Sequence, residues 1–301
     1  MQAAVRSLFL IAAIFTLPVV VLGQTDEDDV LEVDSTLVVL NAAITDSNGR
    51  HVSGLLQRQF SVLENGIPQD ISYFAAEETP FAAVILLDTS GSMGRNVSLA
   101  RAAAIRFLDG IRYSDAVAIY RFDSKVSLVQ DFSNSRDVSE KIYDLRSDGM
   151  TVLNDAIYVA AEKLANRPEK RRAIIVLSDG ADTQSGRSAD RALKAALAAN
   201  AVLYTVDMTP VDGRSGSGGM NRETLKHFAE RSGGTFVATP AGTALREAFE
   251  KIVDELGVVY TIGYSPKNEN KDGKWRSIEL RVARPNLTIR TRKGYHAIKI
   301  K

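Results

Sequence analysis

The stretch from Phe81 to Gly94, FAAVILLDTSGSMG, leaves the chain the fewest choices. Ala82 to Leu87 is apolar without alternation, the pattern of a strand covered on both faces in a parallel sheet. Asp88, Ser90 and Ser92 follow at spacings of two, so their oxygens can project to one side as the chain leaves the strand. Gly91 and Gly94 permit the tight turn that gathers them. Asp88 is thereby placed at the carboxyl end of the strand. Open α/β sheets take their ligands there, where the strand order reverses.

Read alone, the D-x-S-x-S spacing also suits plain helix capping by Ser90, Ser92 or Asn96. Two further stretches add to it. Asp148-Gly-Met-Thr151 is a loop leading into the apolar stripe Leu153, Ala156, Ile157, Ala160, Ala161 and Leu164. Arg172-Ala-Ile-Ile-Val-Leu-Ser-Asp179-Gly is a second buried strand ending in an aspartate. Asp88, Ser90, Ser92, Thr151 and Asp179 then offer three hydroxyls and two carboxylates at the ends of two candidate neighbouring strands.

In kind, order and spacing these five residues match the metal-ion-dependent adhesion site of the von Willebrand factor A family, which the stretch from about Pro80 to Leu256 resembles. The resemblance implies one bound divalent cation, with hydroxyls as direct ligands and aspartates acting largely through water. It further implies an open coordination position completed by a Glu or Asp carboxylate of a protein or peptide partner.

Residues 80–256 alternate strand and helix throughout. Helical stripes follow at Val97–Ile111, Leu153–Leu164, Ala189–Ala196, Leu225–Ala229 and Leu245–Leu256. Strands are expected at Ala116–Phe122, Val126–Phe132, Ala173–Leu177, Val202–Met208 and Thr235–Ala238, the first two as an edge hairpin. Gly233 and Gly234 end one helix, and a Gly/Ser-rich loop, GRSGSGG, lies between Thr209 and Met220. Such alternation predicts right-handed βαβ units and a doubly wound, mostly parallel sheet.

The flanks read as strands. Leu37–Ile44, Phe60–Leu63 and Ile71–Phe74 precede the central region; Val258–Tyr264, Trp275–Val282 and Leu287–Arg292 follow it. Three short strands bury little alone. We therefore expect residues 33–78 and 257–301 to form one small β-sandwich into which the α/β domain 80–256 is inserted. The stretches Phe60-Ser-Val-Leu-Glu-Asn-Gly, Tyr260-Thr-Ile-Gly-Tyr264 and Arg292-Lys-Gly-Tyr-His296 resemble those of a bacterial von Willebrand-related family first defined in acidobacterial genomes. That family implies an exported protein.

The N-terminus agrees with export. Arg6 precedes the apolar core Leu8–Leu22, and Val21-Leu-Gly23 reads as a cleavage site, making 1–23 a signal peptide. An uncleaved anchor is the alternative, and the only route by which a membrane enters the reading. An acidic linker, 24–32, follows, and the expected location is secreted, periplasmic or in the cell envelope. With no cysteine there is neither a disulfide framework nor a thiolate metal site. The 37 basic and 37 acidic residues balance, which gives no argument for nucleic acid as a partner.

Hard oxygen donors favour Mg²⁺, or Mn²⁺ or Ca²⁺, over zinc or copper. Hydrolysis would need a poised general base as well. His51, His227 and His296 fall outside the five-residue set, and no phosphate loop, H-E-x-x-H or G-x-S-x-G elbow is present. The expectation is a non-catalytic, metal-dependent protein-binding or adhesion module. The alternative is an assembly component of an envelope complex whose metal is mainly structural.

Overall fold

The computed structural model describes residues 37–297 apart from 77–78, 95, 180–181, 210–217 and 239–242. The expected signal peptide, the acidic linker, residues 33–36 and most of the Gly/Ser-rich loop lie outside the described residues.

Four strands open the chain: β1 (Val38–Thr45), β2 (Phe60–Glu64), β3 (Ile67–Gln69) and β4 (Ile71–Ala75). The central region follows as β5 (Phe81–Asp88), α1 (Asn96–Gly110), β6 (Ala116–Phe122), β7 (Val126–Ser133), α2 (Leu153–Ala165), β8 (Arg171–Ser178), α3 (Ala189–Ala198), β9 (Ala201–Asp207), α4 (Gly218–Ser232), β10 (Phe236–Val237) and α5 (Thr243–Val258). Four more strands close it: β11 (Tyr260–Tyr264), β12 (Trp275–Val282), β13 (Thr288–Arg290) and β14 (Gly294–His296).

The central sheet has the order β10-β9-β8-β5-β6-β7 and is parallel except for β7, which pairs antiparallel with β6 at one edge. Every residue of β5 and β8 is buried, which is why their sequences show no polar alternation. Ala83, Ile85 and Leu87 pack under α1 and α5, while Ala82, Val84 and Leu86 pack under α2, α3 and α4. The chain leaves β5 towards β6 on one side and later returns to build β8 and β9 on the other. The strand order thus reverses at the β5/β8 boundary, the crevice position for a ligand in such sheets.

The two ends of the chain share two antiparallel sheets, β13-β1-β11-β4 and β14-β12-β2-β3. β1 pairs with β11 (Val38↔Tyr264) and β2 with β12 (Glu64↔Ile278), so each sheet joins strands from both flanks. Leu40, Ile44, Val62, Tyr260, Ile262 and Leu280 belong to their common core. The fold is thus the mixed α/β architecture expected, with a mostly parallel sheet flanked by antiparallel ones.

Boundaries differ in several places. Val258 belongs to α5, so the strand expected from there begins at Tyr260. Ile67–Gln69 forms a strand of its own, because the Asn65-Gly66 turn (φ 48° and 81°) folds it back on β2. The expected strand 287–292 is shorter, and a second short strand, β14, pairs with β12 after it. The helix read at Leu225–Ala229 starts at Gly218, taking in the last glycines of the loop. No helix among the described residues is long and apolar enough to cross a membrane.

Candidate metal centre

Asp88 is the last residue of β5 and is fully buried. Its Oδ1 accepts from the backbone N–H of Ser90 (2.8 Å) and its Oδ2 from the hydroxyl of Ser178 (2.5 Å). Ser90 is also buried, whereas Ser92 is exposed in the short 3₁₀ turn Gly91–Met93. The two serine oxygens lie 3.0 Å apart. Ser90 stands at the start of that turn without capping it through its side chain, so capping does not account for the hydroxyl. Gly94 closes the turn at φ 42°, a backbone conformation that suits glycine.

Thr151 arrives from the loop before α2. Three backbone hydrogen bonds set that loop: Asp148 N–H to Thr89 O (2.9 Å), Gly91 N–H to Gly149 O (3.1 Å) and Val152 N–H to Asp123 O (3.0 Å). Thr89 itself is held by Phe122 O at the end of β6. The serine turn, the β6–β7 turn and the Thr151 loop are thereby stitched together. Thr151 is buried, and its N–H donates to Thr183 Oγ1 (2.9 Å).

Asp179 directly follows β8 and is half-buried. It is near enough that its charge acts on Asp88. Burial pushes the Asp88 carboxyl up to about 6; the hydrogen bonds from Ser178 and Ser90 oppose the rise, and Asp179 adds to it. The Asp88 carboxylate thus lies buried beside the Ser90 and Ser178 hydroxyls, with the charge of Asp179 near enough to act on it, and its ionised form is under-compensated. A cation is the group that would relieve it.

The donor set fits a small hard ion. Among the described residues no group of three or more His, Cys, Asp or Glu side chains gathers as a candidate metal site. An ion here would therefore rest on two carboxylates with hydroxyls supplying the remainder. The Ser90 and Ser92 hydroxyls share a hydrogen bond of 3.0 Å, a separation that would also fit one edge of an octahedron with bonds of about 2.1 Å, the magnesium distance.

The histidines lie elsewhere. His51 bridges to Thr45, His227 is on α4, and His296 on β14 packs edge-on against Trp275. Sequence reading missed Ser178, Thr89 and Ser124, the last accepting from Met150 N–H at 3.0 Å beside the Thr151 loop. Only for Ser178 was there a signal: its place directly before Asp179, at the end of a buried strand.

No curated protein matches the chain. Among solved structures it is similar to the conserved hypothetical protein BatB from Bacteroides thetaiotaomicron, at 20% identity over 58% of this chain and 98% of that one, with a TM-score of 0.47. The vWF domain of the type V pili tip protein Mfa5 from Porphyromonas gingivalis is similar at 15% identity over 60% and 95%, TM-score 0.46. A von Willebrand factor type A structure from Catenulispora acidiphila is similar at 15% identity over 87% and 74%, TM-score 0.49. Residues 83–181, which hold all of the Asp88, Ser90, Ser92, Thr151 and Asp179 set, match the family model of the von Willebrand factor type A domain, and the chain carries a domain of that kind.

Proposed function

We propose that this chain is an exported binding module whose Asp88, Ser90, Ser92, Thr151 and Asp179 hold one Mg²⁺ and so capture an acidic side chain of a protein partner. The observation that carries the reading is the buried Asp88 carboxylate beside the paired Ser90 and Ser92 hydroxyls at the β5/β8 switch point. The von Willebrand factor type A match over the same residues supports it.

Each residue has a separable task. Ser90 and Ser92 place two neutral oxygens side by side, and Thr151 adds a third from a different loop. Asp88 and Asp179 supply negative charge from the strand ends. Neutral oxygens in most positions leave a bound ion short of charge, and magnesium there would offer its open position to a partner carboxylate. Ser92, exposed at the rim, marks the side from which the partner approaches. We assign no bond-breaking step to these residues. A second reading, a mainly structural ion in an envelope assembly component, draws on the deep burial of Asp88, Ser90 and Thr151.

Calorimetric titration with Mg²⁺ and Mn²⁺ tests the site, and capture from envelope extract with and without EDTA tests the use made of it. Asp88→Ala is expected to abolish ion binding while the fold persists, since the charge that holds the ion is lost at the carboxyl end of β5, beyond the apolar residues that form the core. Absence of binding at millimolar ion, with capture indifferent to EDTA, would end the metal-dependent reading. Tight ion binding with EDTA-indifferent capture would favour the structural one.

A further inference from the structure

Ser178 is the last residue of β8, fully buried, and belongs to none of the five positions above. The β5–β8 register pairs Leu87 with Leu177, which brings Asp88 and Ser178 to the same level of the sheet. On the far side β8 is fixed to β9: Ser178 is in register with Asp207, and its carbonyl accepts from Met208 N–H at 2.9 Å. Its hydroxyl reaches Asp88 Oδ2 at 2.5 Å, the short range of an O–H donor on a carboxylate. Ser90, Ser92 and Thr151 all sit in loops, so Ser178 is a donor to this site that the sheet itself holds in place.

We propose that Ser178 is a positioning residue for the metal centre. Its hydroxyl, donated from the rigid end of β8, fixes the Asp88 carboxylate in the orientation that serves a cation beside Ser90 and Ser92. This inference rests on the metal-binding reading above. Asp88 Oδ1 accepts from the Ser90 amide in the loop that follows β5, and Oδ2 from a hydroxyl on a neighbouring strand. A side chain held only by that loop would turn with it. One pinned from a second, rigid element keeps its direction whatever the loop does. Without Ser178 the buried Oδ2 would lose a donor and the side chain its fixed torsions. Groups that orient metal ligands in this way commonly contribute 10–100-fold to affinity.

A purely structural pin between β5 and β8 makes a different prediction. It would lower the melting temperature in EDTA yet leave ion affinity unmoved. The full chain and its Ser178→Ala and Ser178→Thr variants are therefore titrated calorimetrically with Mg²⁺, and their melting in EDTA is recorded alongside. We expect Ser178→Ala to bind Mg²⁺ about 10–100-fold more weakly and Ser178→Thr, which keeps the hydroxyl, to stay within about threefold of wild type. If Ser178→Ala does not fold, Ser178→Cys, of similar shape and a weaker donor, is expected to weaken binding in the same direction. Wild-type affinity in the hydroxyl-free or weak-donor variant overturns the assignment of Ser178 while leaving the metal site standing. Failure of the wild type itself to bind Mg²⁺ overturns both.

Discussion

Gly149 shows how much of the candidate site depends on one backbone position. Its φ of 75° is left-handed, and its carbonyl accepts from Gly91 N–H in the serine turn. A Cβ there would stand 2.6 Å from Ser124 Oγ, the atom that anchors Met150 N–H one residue before Thr151. Gly149→Ala therefore meets two costs: left-handed strain of about 1–2 kcal/mol, and either a steric clash or the loss of the Ser124 hydrogen bond. We expect it to destabilise the protein by about 1–3 kcal/mol and to weaken Mg²⁺ binding, because Thr151 would move with the loop. Thermal unfolding and calorimetry read the two effects. Adding Ser124→Ala removes the colliding oxygen, so the double variant should lose less stability than the sum of the two single changes. Full additivity would show that the collision is not the cause.

At the scale of elements, the sequence marks a strand or helix well where one face, or both, is buried by its neighbours. β5 and β8 are buried along their whole length and were legible as unbroken apolar runs. β12 alternates because one face is covered, and α2 shows its stripe because it lies flat on the sheet. β3, β13 and β14 have only three residues each, too few for a period, and exist because a partner strand is present to receive them. The site divides in the same way. Asp88, Ser90, Ser92, Thr151 and Asp179 stand out as polar residues interrupting apolar runs or opening a helix. Thr89 does not, and Ser178 is marked only by its place before Asp179, since the meaning of both lies in partners on other strands. The α4–β10 connection was legible as a helix stop but not as a contact. Gly234 lies so close to β9 that a Cβ would sit 2.0 Å from Leu203 O, a backbone atom that cannot turn aside. Gly234→Ala must push α4 and β10 off β9, and should cost about 2–3 kcal/mol. The midpoint of urea unfolding measures it; an unchanged midpoint would mean that the turn shifts freely.

On the scale of the whole molecule the chain passes twice between the β-sandwich and the α/β domain, near 76–79 and again near 256–259. One side chain grips both passages. Arg171, fully buried at the start of β8, donates to Ala76 O and Thr79 O on the way in, and to Leu256 O, Gly257 O and Val259 O on the way out. Its Nε also donates to Thr261 Oγ1 on β11 (2.9 Å). Burial, and then the like charge of Arg112, lower its pKa to about 10, so it remains charged at neutral pH. The five N–H groups of a guanidinium can satisfy carbonyls in several directions at once, which the compact ammonium of lysine cannot. Arg171→Met keeps much of the volume but leaves buried carbonyls from both passages without their donor. We expect a loss of at least about 1–3 kcal/mol, the cost of leaving even one buried polar group unsatisfied, and more as several carbonyls lose their donor together, with Arg171→Lys falling between. The single tryptophan supplies a local probe. Trp275 on β12 packs against the α2–α4 face of the central sheet and beneath the Arg231 guanidinium of α4, so its emission reports whether the sandwich stays docked. Far-ultraviolet circular dichroism reports mainly the helices of the α/β domain. In the wild type the two signals should change together during denaturant unfolding. In Arg171→Met the Trp275 signal should change first, because the grip on both passages is gone while the central core is intact. Coincident transitions at the wild-type midpoint would show that strand pairing alone holds the two parts together.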